Sequence, residues 1–128
     1  MITYADKKDF DPSHLLPLFD QSSWSQGRSL QDAIEMVKHT NLFITAWDGD
    51  HLVGCGRVLT DYVYRASIWD VIVDGHYQGQ DIGTEIINRI LSHGTLELSL
   101  IHISEPTRPD RIAYYGIWVI KKNGGGGG

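Results

Sequence analysis

Cysteine is almost missing from this chain. Cys55 is the only one in 128 residues, which excludes a disulfide framework and a cysteine zinc cluster. It lies in an apolar segment, where a small buried hydrophobe is the expected role and a reactive thiol the alternative. No apolar run approaches the roughly 18 residues of a membrane span, and residues 1–11 are too acidic and polar for a signal peptide. The expectation is a cytoplasmic protein with no membrane partner. Concentrated positive charge is also lacking: the formal net charge is −5 and the 11 Lys and Arg residues are scattered. Phosphate backbones are gripped mainly by clustered basic residues, so no nucleic-acid partner is expected. The same charge suits cationic or amine ligands. The six histidines, at 14, 39, 51, 76, 93 and 102, form no i,i+4 pair and no cluster with carboxylates at ligand spacing, and no metal site is predicted.

What is present fits one soluble globular domain: 41% hydrophobic residues, 21% charged, four tryptophans and six tyrosines. Residues 2–5 read as a short strand. Asp11 and Pro12 supply an N-cap acid and a helix-starting proline ahead of residues 14–19, a helix that Pro17 keeps short. Ser29 caps a second helix through His39, with Leu30, Ala33, Ile34 and Val37 on one face. From Asn41 the period changes. Residues 42–47, the turn Asp48-Gly49-Asp50 and residues 51–60 read as a hairpin, and residues 65–74 as a third antiparallel strand. Residues 75–83 form a loop. The helix that follows, to about His93, carries the stripe Ile82, Ile86, Ile87, Ile90 and Leu91, with Gly94 as its stop. The plan is α+β.

Between Val73 and Ile82 a buried strand, a bend and a helix start follow in immediate succession. Unpaired amides at such a helix start, aided by the helix dipole, bind an anion without a basic side chain. Glycine serves there because the backbone must come close to the ligand. By itself the pattern also fits an ordinary strand-loop-helix connection.

The run Gln78-Gly79-Gln80-Asp81-Ile82-Gly83 resembles the Gln/Arg-Gly-x-Gly-x-Gly/Ala signature of the GNAT superfamily of N-acetyltransferases. Five of its six positions fit, with Asp81 where glycine is usual. The likeness extends to Trp24, Gly27-Arg28-Ser29, Leu52-Val53-Gly54, Arg57-Val58-Leu59-Thr60-Asp61 and Ile68-Trp69-Asp70-Val71-Ile72-Val73-Asp74. It covers about residues 1–93 and is similar to one bacterial branch of small GNAT enzymes. The resemblance implies a GNAT-like mixed, mainly antiparallel sheet flanked by helices, with acetyl-CoA as co-substrate and no metal. It implies that the main chain of Val71, Ile72 and Val73 pairs with the pantetheine arm as an added strand. The amides of Gln78, Gly79, Gln80, Asp81, Ile82 and Gly83 would then wrap the pyrophosphate. Asp81 sets a carboxylate against that anion, although Asp tolerates left-handed φ better than most residues, so weakened cofactor binding is expected.

Acetyl transfer needs a neutral amine, polarisation of the thioester carbonyl and a proton for the departing thiolate. Asp70, on the cofactor strand, is the candidate base or amine-binding acid. The alternative is a cross-strand ion pair with Arg57, which the hairpin brings opposite residues 69–70. By resemblance, which includes a bulge on that strand, the amide of Val71 or Ile72 polarises the carbonyl. Asp61, Tyr62 and Tyr64 are candidates to line the substrate entrance. His76 flanks the loop as a solvated turn residue or a phosphate contact, and Trp24 is expected to pack the first helix. The implied function is acetyl transfer to a small primary amine, with a homodimer as a further expectation. The alternatives are a non-catalytic acyl-CoA-binding or interaction domain and a generic anion-binding module.

The likeness fades by residue 97. Leu98-Ser99-Leu100-Ile101-His102-Ile103-Ser104-Glu105-Pro106-Thr107-Arg108 resembles a translated transposon-type sequencing adapter, and Lys121-Lys122-Asn123 and the five closing glycines resemble A and G runs. Residues 1–97 are thus expected to be the N-terminal and cofactor-binding part of a truncated domain, and 98–128 a non-native tail. The rival reading is a pair of strands, residues 97–103 and 112–120. Truncation would remove the strand that splays from the fourth in this family, the helix with its proton-donating tyrosine, and the last strands. Tyr114 and Tyr115 are not assigned that role. Weak or no turnover is then expected.

Overall fold

The computed structural model describes residues 1–94, 100–103 and 118–120. In chain order these form β1 (Ile2–Ala5), a 3-10 turn (Pro12–His14), α1 (Leu15–Phe19), α2 (Leu30–His39), β2 (Leu42–Asp48), β3 (His51–Thr60) and β4 (Arg65–Val73). A second 3-10 turn (Gly75–Tyr77), α3 (Ile82–Leu91), β5 (Leu100–Ile103) and β6 (Trp118–Ile120) follow. The caps lie where the sequence places them: Asp11 accepts from the Ser13 amide at 2.9 Å and Ser29 from the Asp32 amide at 3.1 Å. Among the described residues no helix is long and apolar enough to cross a membrane.

The strands form one mixed sheet in the order β1-β2-β3-β4-β5-β6. Neighbours are antiparallel except β4 and β5, which are parallel. Both faces of the central strands are covered, so β2 is buried over its first five residues rather than alternating. On one face α3 lays Ile82, Ile86, Ile87 and Ile90 against Ile44, Val53, Val58 and Ile68. On the other, Leu15, Leu18 and Phe19 of α1 and Val37 of α2 pack against Phe43, Leu52, Cys55 and Ile72. One expectation needs correcting. Only Ala33 and Val37 of the anticipated α2 stripe are buried, while Leu30 and Ile34 are 44% and 38% exposed. The short α1 covers too little of α2 to close a wider stripe.

Glycine decides how closely α3 approaches. A Cβ at Gly56 would lie 2.8 Å from Ile86 Cγ2, and one at Gly54 would lie 3.1 Å from both Ile82 and Ile86. These two positions on β3 therefore set the seat of α3, and with it the loop at its start.

Strand β5 occupies the place that the resemblance gives to the splaying strand, from a segment expected to be foreign. It pairs with β4 from Arg65↔Leu100 to Ile68↔Ile103. Beyond Ile68 that edge of β4 meets no further strand among the described residues. The other residues assigned to the tail, 98–99, 104–117 and 121–128, with Tyr114 and Tyr115 among them, lie outside the described residues.

Candidate active site

On the β3 side of β4 the register slips. Cys55 faces Ile72 and Arg57 faces Trp69, so Gly56 alone spans Asp70 and Val71. This is a β-bulge, and Asp70 turns it with φ of 53°. The extra residue lies just past the stretch of β4 that β5 pairs among the described residues.

Asp70 is 1% exposed and both its carboxylate oxygens are taken. Arg28 grips it with two guanidinium nitrogens at 3.0 and 3.1 Å, and Arg57 Nε donates at 2.7 Å. Burial alone would raise its pKa, but the hydrogen bonds and charges of the two arginines outweigh it and hold the group below the ordinary 3.8. A carboxylate held this way is a weak base. The cross-strand pair with Arg57 anticipated from the hairpin is present, and a second cation joins it.

Cys55 is buried beneath the bulge and its thiol donates to the Asp70 carbonyl at 3.4 Å. Burial, then the nearby Asp70 charge, push the thiol well above its usual range. This is the unreactive, core-like cysteine expected.

Past the bulge, β4 runs into the loop. Asp74 caps the turn after it by accepting from the His76 amide at 2.9 Å, and the Gln78 side chain donates to the Val73 carbonyl at 3.2 Å. Gly79 has φ of 86° and open space where a Cβ would point. Asp81 adopts φ of 62° at the N-cap of α3, yet its side chain makes no capping bond. The first amides of a helix have no carbonyl a turn earlier to bond. Here, unlike at the Ser29 cap, the N-cap side chain leaves them uncovered. A cavity opens here, lined by Val73, Tyr77, Gln78, Gly79 and residues 81–84. These features fit a diphosphate, apart from the Asp81 carboxylate. Gln80 is exposed and does not line the cavity. The Ile72 side chain is committed to the α1 face, and those of Val71 and Val73 to the α3 face, so β4 offers a ligand its main chain.

The structure does not bring Asp61, Tyr62 and Tyr64 to this place. They form the far turn of the β3–β4 hairpin, and the strand from Arg65 to Asp70 rises roughly 17 Å. Asp61 accepts from the amides of Val63, Tyr64 and Arg65 at 2.8 to 3.2 Å, a turn-holding role. Tyr62 and Tyr64 are 53% and 73% exposed. His76 pairs with Asp74 at 3.2 Å, and Trp24 packs against the α1 core with its indole N–H unpartnered among the described residues.

Sequence reasoning gave no role to Arg28, Gln21, Tyr77 or Thr84. Gln21 accepts from the Gly75 amide at 2.8 Å, so the α1–α2 connection touches both Asp70 of β4 and the turn that follows β4. The only signal was the Gly27-Arg28-Ser29 motif.

Several known proteins are similar to this chain in sequence or in fold. A histone acetyltransferase of Glycine max, TAP1, is 42% identical over 101 residues, covering 70% of this chain and 43% of that protein. The chain thus spans under half the length of this relative. An acetyltransferase of the GNAT family from Streptococcus pneumoniae TIGR4 superposes with a TM-score of 0.70 at 22% identity, over 85% of this chain and 79% of its own. The GNAT family N-acetyltransferase YhbS of Escherichia coli, solved in complex with CoA, has a TM-score of 0.62 at 13% identity, over 79% and 62%. The profile of the acetyltransferase (GNAT) family matches residues 7–120, further than the motifs alone reach. With that match over most of its length, the chain belongs to the acetyltransferase (GNAT) family.

Proposed function

We propose that the chain binds acetyl-CoA along the open edge of β4 and transfers the acetyl group to a small primary amine. The observation that carries this is the succession of a bulge at Asp70–Val71 on β4 and, past the loop that follows β4, an uncapped helix start that lines a cavity. In this reading the amides of the loop and of α3 hold the diphosphate. The main chain of residues 71–73 aligns the pantetheine arm, and the Val71 or Ile72 amide donates to the thioester carbonyl. The amine nitrogen forms a bond to the acetyl carbon as the carbon–sulfur bond breaks. The amine loses a proton and the thiolate gains one. The double guanidinium grip on Asp70 favours a water over Asp70 as the acceptor of that amine proton.

The test is release of free CoA thiol from acetyl-CoA across an amine panel that includes a lysine-rich peptide, because one relative is named for acting on histones. Turnover with at least one small amine supports the proposal. Tight CoA binding without turnover on any amine would replace it with the non-catalytic acyl-CoA-binding reading.

The carboxylate at Asp81 carries its own expectation. Asp81→Gly should bind CoA about fivefold more tightly at low salt, from roughly 1 kcal/mol of like-charge repulsion relieved. Screening should shrink that gain as ionic strength rises. Calorimetric titration of both proteins with CoA checks it, and an unchanged affinity at low salt would place the carboxylate away from the diphosphate.

For residues 98–128 we keep the proposal of a foreign tail, against which the profile match to residue 120 weighs. Adapter bases followed by A and G runs in the encoding nucleotides would support it. Ordinary coding sequence would overturn it.

A further inference from the structure

We propose that Arg28 is a positioning residue for acetyl transfer: from the α1–α2 connection it acts through Asp70 to hold the left-handed turn of the β4 bulge. The proposal rests on the acetyl-transfer reading above, because the bulge matters through the amides it aims.

A positive φ costs Asp less than most residues but more than glycine, and in a strand it persists where the surroundings hold it. At Asp70 both ends are held. Its carbonyl accepts from the Cys55 thiol at 3.4 Å, and its carboxylate receives a two-pronged grip from Arg28 and one bond from Arg57. Arg57 comes from the adjacent strand, but Arg28 arrives from 42 residues away in sequence. It arrives already ordered. Its guanidinium carbon stands 4.6 Å over the Phe19 ring, and Nη1 lies 3.8 Å from Met36 Sδ. The Gly27 amide, in a segment turned by φ of 79° at that glycine, donates to Asp20 at 3.1 Å. Both α1 and α2 thus fix the direction from which Arg28 pulls. The cluster holds two cations against one carboxylate, a net positive charge beside the strand where a carbonyl oxygen gains negative charge.

The test compares Arg28→Met alone, Arg28→Met with Asp70→Gly, and Arg28→Met with Asp70→Ala. A carbonyl donor displaced by about 1 Å costs on the order of 100-fold in rate. Arg28→Met should therefore lower kcat at least about tenfold while leaving KM for acetyl-CoA within about twofold. Adding Asp70→Gly should restore much of kcat, because glycine takes positive φ without a grip. Adding Asp70→Ala should not. A merely structural role for the cluster, or Asp70 as base, predicts that glycine does no better than alanine, and that result overturns the proposal. A second readout does not depend on turnover: the strong HN–Hα nuclear Overhauser contact within residue 70 that marks positive φ. It should be present in the parent chain and lost in Arg28→Met, and its survival there overturns the proposal. If the parent acetylates no amine, the acetyl-transfer reading fails and this second readout decides alone. If Arg28→Met does not fold, Arg28→Lys, which keeps the charge and loses the fork, takes its place in every comparison.

Discussion

Arg57→Met is expected to destabilise the fold by about 3 kcal/mol, the low end of the range for breaking a buried ion pair by removing one partner. Asp70 is 1% exposed and Arg57 Nε is its shortest contact, at 2.7 Å. Loss of that donor leaves a buried carboxylate with Arg28 alone, and Arg28, 28% exposed, shares its charge with solvent. Most of the cost lies in the charge left behind, so adding Asp70→Asn to Arg57→Met should return part of the stability. The pH dependence follows from the sign of the shift. Asp70 has a folded pKa below the unfolded value near 3.8, so its contribution is fully present above that value and is lost as pH falls through the folded one. The thermal midpoint of the parent should thus drop steeply on acidification below about pH 4, and that of Asp70→Asn less so. Unfolding followed by circular dichroism across pH 2–7 measures both. Identical acid limbs, or no recovery in the double variant, would remove the ion cluster from the account of stability.

The second large effect is at the seat of α3. Ile86 is fully buried against β3, and Ile86→Ala should cost about 2–5 kcal/mol through lost burial and the cavity left behind. That is a large share of a domain's usual total of about 5–15 kcal/mol. Gly56→Ala alone should also destabilise, by about 1–3 kcal/mol, because its Cβ meets Ile86 Cγ2 at 2.8 Å. Together the two changes should cost less than Ile86→Ala alone, as the new methyl enters the space that isoleucine vacated. Denaturant unfolding of the two single variants and the double variant gives the coupling. Strict additivity would mean that α3 is not seated on Gly56. Because the cavity over residues 78–84 is built on the start of α3, CoA binding should weaken in Ile86→Ala as the helix loosens.

Local signals carried much of the fold. Asp11 and Ser29 cap their helices because a short polar side chain next to a helix start has few better partners than the amides there. The α3 stripe was legible because four isoleucines at helical spacing leave no other face to bury. The α2 stripe misled. Periodicity says which residues share a face, but not how much of that face a five-residue neighbour can cover. Asp61, Tyr62 and Tyr64 lie away from the bulge because a strand carries its two ends apart at about 3.4 Å per residue. Asp70 was found as a residue and its pairing with Arg57 followed from hairpin register, which is local. Arg28 was not placed, because contact across 42 positions leaves no periodic trace.

By itself, then, the sequence determined what neighbouring residues settle among themselves: the helix caps, the β2–β3–β4 antiparallel run, the glycine at residue 79 and the family to which these belong. Tertiary structure alone decided that Asp70 is clamped by two guanidiniums, and that Asp81 turns the loop without capping α3. It also decided that, among the described residues, the edge of β4 stays open beyond Ile68. The difference is physical. Caps, turns and stripes are set by backbone geometry over a few residues, whereas the protonation of a carboxylate and the freedom of a strand edge depend on whatever the folded chain packs beside them.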